Sequence, residues 1–172
     1  MKKILLAVTC GLLAVLLLTN AGAREFDSLL SVAGSYVEDS PLGVACVDSI
    51  RFVVYEPEPE SFRYFVVSDD FVRLKGYKGY TNLGVLLNDK AEILDVWIVS
   101  SDDTRRIVNK IKHSGMLEQF RSTSKGKQIK HVTGATVTSQ VICKTIGQML
   151  PILESKAEAM REASAGMRDI HE

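Results

Sequence analysis

Residues 81–99 read Thr-Asn-Leu-Gly-Val-Leu-Leu-Asn-Asp-Lys-Ala-Glu-Ile-Leu-Asp-Val-Trp-Ile-Val. Ala91 to Val99 is rich in β-branched and aromatic side chains (Ile93, Val96, Trp97, Ile98 and Val99), which suit a pleated, half-buried surface, and Thr81 to Leu87 also reads as a strand. Asn88-Asp89-Lys90 separates them, and Asn and Asp tolerate the backbone of a tight hairpin turn. The stretch therefore predicts two antiparallel strands. Upstream, Phe62 to Val67 reads as a strand, Ser68-Asp69-Asp70 as its turn, and Phe71 to Tyr77 as another strand. Short strands joined by tight turns predict an antiparallel meander.

Further outward the signals change. Ile50 to Tyr55 is strand-like, whereas Glu56-Pro57-Glu58-Pro59-Glu60 reads as a solvated loop, because proline removes backbone donors. Phe26, Leu29, Leu30, Ala33, Tyr36 and Val37 recur at helical spacing, and Pro41 with Gly43 ends that helix. On the C-terminal side, Asp102 or Asp103 caps a helix whose apolar face is Ile107, Val108 and Ile111, and Gly115 ends it. Met116, Leu117 and Phe120 form an apolar turn, and Ser122 to Lys130 is a polar loop. Val137 to Leu150 is the last core helix, and beyond Pro151 the pattern predicts an exposed helical tail. Strands first and helices after predict an α+β fold, an antiparallel meander with helices packed on one face.

The 172 residues carry 21 basic and 21 acidic side chains, so no basic excess points to nucleic acid. Lys2-Lys3, the apolar run Ile4 to Leu18, and Ala21-Gly22-Ala23 have the form of an export signal over residues 1–23. Either it is cleaved before Arg24, or it stays as a membrane anchor with its basic end in the cytoplasm. Both readings place the rest of the chain outside the cytoplasmic membrane, in a periplasmic or extracellular setting. Cys10 has no lipobox before it. Cys46 and Cys143 form a disulfide in an oxidising compartment, or Cys143 stays a buried free thiol. His113, His131 and His171 share no metal-ligand spacing, and no metal site is expected.

The chemistry concentrates in Thr133-Gly134-Ala135-Thr136-Val137-Thr138-Ser139, which sets four hydroxyls around one glycine in seven residues. Gly134 permits a backbone that other residues resist. A helix starting near Thr138 presents free N–H groups and a positive dipole end, which suits a phosphate. The plainer reading is a loop in which Thr138 or Ser139 serves as an N-cap.

This stretch resembles the Ser/Thr-Gly-Ala-Thr-x-Thr-Ser signature of the FMN-binding domain in flavoprotein subunits of the Rnf and Na+-pumping NADH:quinone oxidoreductase complexes. Other elements agree in order: Gly76-Tyr77-Lys78-Gly79 with Gly-Tyr-x-Gly, Ser100 to Thr104 with Ser-x-x-Glu-Thr, and Met116 to Phe120 with Leu-x-x-Phe. The resemblance covers residues 62–150. It leaves residues 24–61 as an N-terminal extension and 151–172 as the tail. It implies FMN bound covalently, through a phosphoester, to Thr138. Thr133, Gly134, Ala135, Thr136, Ser139, Asp103, Thr104, Gly76 and Gly79 are the implied cofactor-binding residues. Two departures stand out: Lys130 occupies a position that is commonly aspartate, and Glu-Thr-Pro-Gly becomes Asp103-Thr104-Arg105-Arg106.

A threonine hydroxyl needs activation to act as a nucleophile. The sequence offers no base close to Thr138 other than His131, seven positions away. The resemblance accordingly implies attachment by a separate metal-dependent flavin transferase that uses FAD. The bound ring would carry the redox chemistry while the protein positions it. Lys125, Lys127 and Lys130 either favour the phosphate or form a solvated loop. The expected role is an electron carrier for membrane or extracytoplasmic redox proteins rather than a stand-alone enzyme. The alternatives are an FMN-binding sensor or accessory domain that regulates a membrane partner, and an exported structural domain without flavin.

Overall fold

Four successive residues, Phe52 to Tyr55, are each at most 1% exposed. Side chains alternate along a strand, so such a run must be covered on both faces. It lies in a computed structural model that describes residues 27–121 and 128–168. The export signal, Lys125, Lys127 and His171 fall outside the described residues.

The strands are β1 (Pro41–Val47), β2 (Ile50–Glu58), β3 (Ser61–Val67), β4 (Thr81–Asn88) and β5 (Ile93–Ser101). Their order in the sheet is their order in the chain, and every neighbouring pair is antiparallel. Asp48 and Ser49 both hold positive φ (48° and 70°) between β1 and β2, as the tightest right-twisted hairpins require. Between β4 and β5, Asn88 Oδ1 accepts the N–H groups of Lys90 and Glu92 at 3.0 and 2.9 Å, so the anticipated turn is closed by its asparagine.

One face of the sheet carries Phe52, Val54, Tyr64, Val66, Leu83, Val85 and Leu87. It packs against helices α2 (Arg105–Lys112) and α3 (Thr136–Arg168) and the 3-10 turn Leu117–Phe120. The opposite face carries Val53, Tyr55, Phe65, Val67 and Leu86. Helix α1, described over residues 27–33, and the chain after it cover that face through Leu29, Ala33 and Val37. The fold is thus α+β with a five-stranded antiparallel sheet and three packed helices. The helices lie on both faces, not one. Both sets of alternate strand residues are apolar, so two covering layers are required.

Four local expectations change. Phe71 to Tyr77 is not a strand: β3 pairs directly with β4, which leaves it no free edge, and only Lys75 bridges Tyr80. Pro41, read as a stop signal, opens β1 at the sheet edge, where its missing N–H is harmless. Residues 41–58 of the extension therefore supply two of the five strands. The acidic Pro57 segment continues β2 through an irregularity between Tyr55 and Glu58. The tail beyond Pro151 is not simply exposed: α3 runs through the proline and buries Leu153, Met160 and Ser164 to 1%, 1% and 0% exposure.

Candidate functional site

The segment after β3 forms a loop, 71–80, in which Phe71 and Val72 donate their N–H groups to Ser68 O and Gly76 donates to Gly79 O. The N–H groups of Tyr77, Lys78 and Tyr80 turn instead to two carboxylates that follow β5. Asp103 accepts the N–H of Tyr77 at 3.3 Å and that of Lys78, and Asp102 accepts that of Tyr80 at 3.3 Å. Neither aspartate therefore caps α2; Thr104 occupies the N-cap position, with no side-chain capping bond. Gly76 and Gly79 explain the close approach. A Cβ at Gly76 would collide with the Asp103 carboxylate, and one at Gly79 with the Asp102 side chain. These glycines lie behind the site, under the aspartates, and do not line its cavity.

Asp103 is 6% exposed and also accepts the Thr138 hydroxyl, Oγ1 to Oδ2, at 2.6 Å. Burial pushes its pKa up. Hydrogen bonds from Thr138 and from the N–H groups of Lys78, Tyr77 and Gly79 outweigh that effect, leaving it below the ordinary carboxylate value. The group beside Thr138 is thus Asp103, 35 positions away in sequence, and not His131, which is exposed. Thr138 itself is 1% exposed.

Gly134 has φ +76°, a conformation suited to glycine, and turns the chain into α3. Helix α3 begins at Thr136, so neither Thr138 nor Ser139 is its N-cap. Ser139, fully buried, braces the turn: its hydroxyl donates to Ala135 O at 2.8 Å and accepts Val132 N–H at 3.2 Å. Among the described residues, the N–H groups of Thr136, Val137 and Thr138 have no acceptor in a turn, loop or cap.

In front of these groups lies a cleft of about 540 Å³, within the usual size of small-molecule sites. Thr104, Gly134, Ala135, Thr136 and Thr138 line it, together with Tyr77, Arg106, Ile107, Lys110 and Val137. The structure thus gathers five of the anticipated residues at the cavity. Asp103 stands directly behind it, Thr133 is exposed outside the lining, and Ser139 is structural.

Sequence reading missed Tyr77, Arg106 and Lys110 as lining groups. Arg106 and Lys110 sit four apart on α2 and so share a helix face, a spacing that marks them once α2 is known to border the site. Lys110 reaches over Gly134, where a Cβ would come within 2.9 Å of its Nζ. Among the described residues neither cation forms an ion pair. Tyr77 and Val137 are 61% and 49% exposed at the same cleft, so large apolar surface stands open beside positive charge. Cys46 and Cys143 are both free thiols; burial pushes the pKa of Cys143 up.

No curated protein matches the chain. The family model described as the FMN-binding domain matches residues 76–150, a span that opens at the loop glycine and closes within α3. It is shorter than the 62–150 suggested by resemblance. The cleft and the Asp103–Thr138 pair lie within that span, and an FMN-binding domain is present over residues 76–150.

Proposed function

We propose that the protein is an exported flavoprotein that carries FMN as a phosphoester on Thr138 and passes electrons to or from membrane redox partners. The observation that carries this reading is the position of Thr138. It lies in the first turn of α3 at the cleft, beside unpaired N–H groups and two cations, within the FMN-binding domain. Arg106, Lys110 and the N-terminus of α3 would hold the phosphate through charge and backbone donors. Tyr77 and Val137 would cover an aromatic ring, since both offer exposed apolar surface at the mouth. When bound, the flavin ring supplies one- and two-electron redox chemistry.

Export is supported by Lys2-Lys3, the apolar run and Ala21-Gly22-Ala23. Among the described residues no helix is long and apolar enough to cross a membrane. A covalent tether suits such a setting, where a dissociated cofactor has no ready replacement. The maturation partner is a separate flavin transferase.

Production with and without an FAD-dependent flavin transferase tests the reading, followed by denaturing electrophoresis. A fluorescent flavin band that survives denaturation and requires the transferase is the expected result. A colourless chain in both samples overturns the covalent reading. Flavin that dissociates on denaturation leaves FMN binding intact and removes the ester.

A further inference from the structure

We propose that Asp103 takes the Thr138 proton during flavin attachment, so that this domain brings its own base to a reaction completed by a separate enzyme. The inference rests on the covalent reading above and deepens it.

The geometry comes first. Oγ1 of Thr138 already donates to Oδ2 of Asp103 at 2.6 Å, within the reach required of a general base. The pair is buried, at 1% and 6% exposure, so water competes poorly for the hydroxyl. Asp103 is itself held by the N–H groups of Tyr77 and Lys78, and Gly76 leaves room for that approach. These bonds use both carboxylate oxygens and fix the orientation of the group. His131, the nearest alternative in sequence, is exposed, and no bond between it and Thr138 is found among the described residues.

The step balances as follows. Thr138 Oγ1 forms a bond to the flavin-side phosphorus of a flavin adenine dinucleotide. The pyrophosphate P–O bond breaks, and adenosine monophosphate leaves with the electron pair. The hydroxyl proton passes along the existing hydrogen bond to Oδ2 and from there to the leaving nucleotide or water. Nothing is oxidised or reduced. A threonine hydroxyl is far too weak an acid to ionise beforehand, so the proton moves as the new bond forms. A carboxylate held ionised at neutral pH is always in the receptive form, but its lowered pKa makes it a weaker base, so the assistance falls toward the low end of the usual range of about 10²–10⁴-fold.

A purely structural Asp103 would anchor the 76–79 loop and nothing more. The two roles separate in the rate of flavin incorporation, followed by intact mass with purified transferase, its divalent metal and flavin adenine dinucleotide. Wild type, Asp103→Asn and Asp103→Glu are compared over a range of acceptor concentrations and from about pH 5.5 to 9. Asparagine keeps the shape and still accepts the Thr138 bond, but takes no proton. The expected maximal rate for Asp103→Asn falls about 10²-fold or more, with the half-saturating acceptor concentration nearly unchanged. Its residual rate climbs with pH while that of wild type stays flat, and Asp103→Glu recovers part of the loss.

Incorporation into Asp103→Asn at nearly the wild-type rate would overturn the inference and leave the covalent reading standing. A loss confined to the half-saturating concentration, with an unchanged pH profile, would do the same. Should Asp103→Glu fail to fold, the pH profile of Asp103→Asn decides alone. A wild-type chain that takes up no flavin removes both proposals together.

Discussion

Thr138 and Asp103 both stand out in the sequence as candidate site residues, but their contact does not. A pair 35 positions apart is joined only when β5 delivers Asp103 to the start of α3. The bond has consequences that a melt can read. Thr138→Ala leaves a buried carboxylate without one of its donors, and a stability loss of about 1–3 kcal/mol is expected. A change within about 0.5 kcal/mol, the range of an ordinary surface substitution, would show that the hydrogen bond contributes little. The pH dependence follows from the sign of the shift. Asp103 has a pKa below that of an unfolded aspartate, about 3.9. Its contribution is therefore complete above that unfolded value and is lost as pH falls through the lower, folded one. Denaturant titrations should give constant stability from neutral pH to about 5 and a decline below about 4. In Asp103→Asn that part of the decline should be missing. At Gly134, alanine would have to adopt φ +76°, at an expected cost of about 1 kcal/mol with weakened phosphate binding, because its Cβ also crowds Lys110 Nζ.

The elements differ in how clearly their sequences announce them. α3 is the most instructive. Its first half has the apolar spacing of a core helix, but Pro151 marks a boundary, since proline lacks the N–H and crowds the preceding turn, and the sequence beyond it reads as an exposed helical tail. Burial of Leu153 and Met160 against the sheet outweighs that local preference. Leu153→Ala and Met160→Ala should each lower stability by about 2–5 kcal/mol in chemical denaturation, whereas residues on a solvated tail would lose under about 0.5. β3, β4 and β5 were legible because short apolar runs alternate with turn residues. β1 was not, because a proline and a glycine resemble punctuation unless the strand is known to be an edge. Phe71 to Tyr77 was misread for the opposite reason: its strand-like side chains have no edge to join, and its N–H groups go to Ser68 O, Gly79 O and the Asp103 carboxylate. Helices on both faces were hidden as well, since the apolar spacing of α1 marks a buried face but not the side of the sheet it covers, which only its contact with Phe65 and Leu86 declares. In the site, the glycines and hydroxyls were visible as a motif. That Arg106, Lys110 and Tyr77 line the cleft was not, because only packing brings α2 and the 71–80 loop together there.

At the scale of the whole molecule, the sheet acts as a frame that sets two loops against one helix start. β5 supplies the aspartates, the β3–β4 connection supplies the apolar wall, and α2 supplies the cations. The arrangement places positive charge and open aromatic surface side by side, as a phosphate-bearing ring requires. The proposed export predicts that expression in a bacterium yields a product lacking residues 1–23, or one that stays with the membrane. A full-length chain recovered in the cytoplasmic fraction would refute that placement. The central claim is that the hydroxyl of Thr138 is the point of permanent attachment. Peptide-level mass spectrometry on protein produced with the transferase tests it most directly. The account predicts a proteolytic fragment containing Thr138 that is heavier by one FMN less one water, with fragmentation assigning the addition to that residue and with none in Thr138→Ala. A flavin mass on a different residue, or an unmodified Thr138 peptide from protein matured with an active transferase, would contradict it.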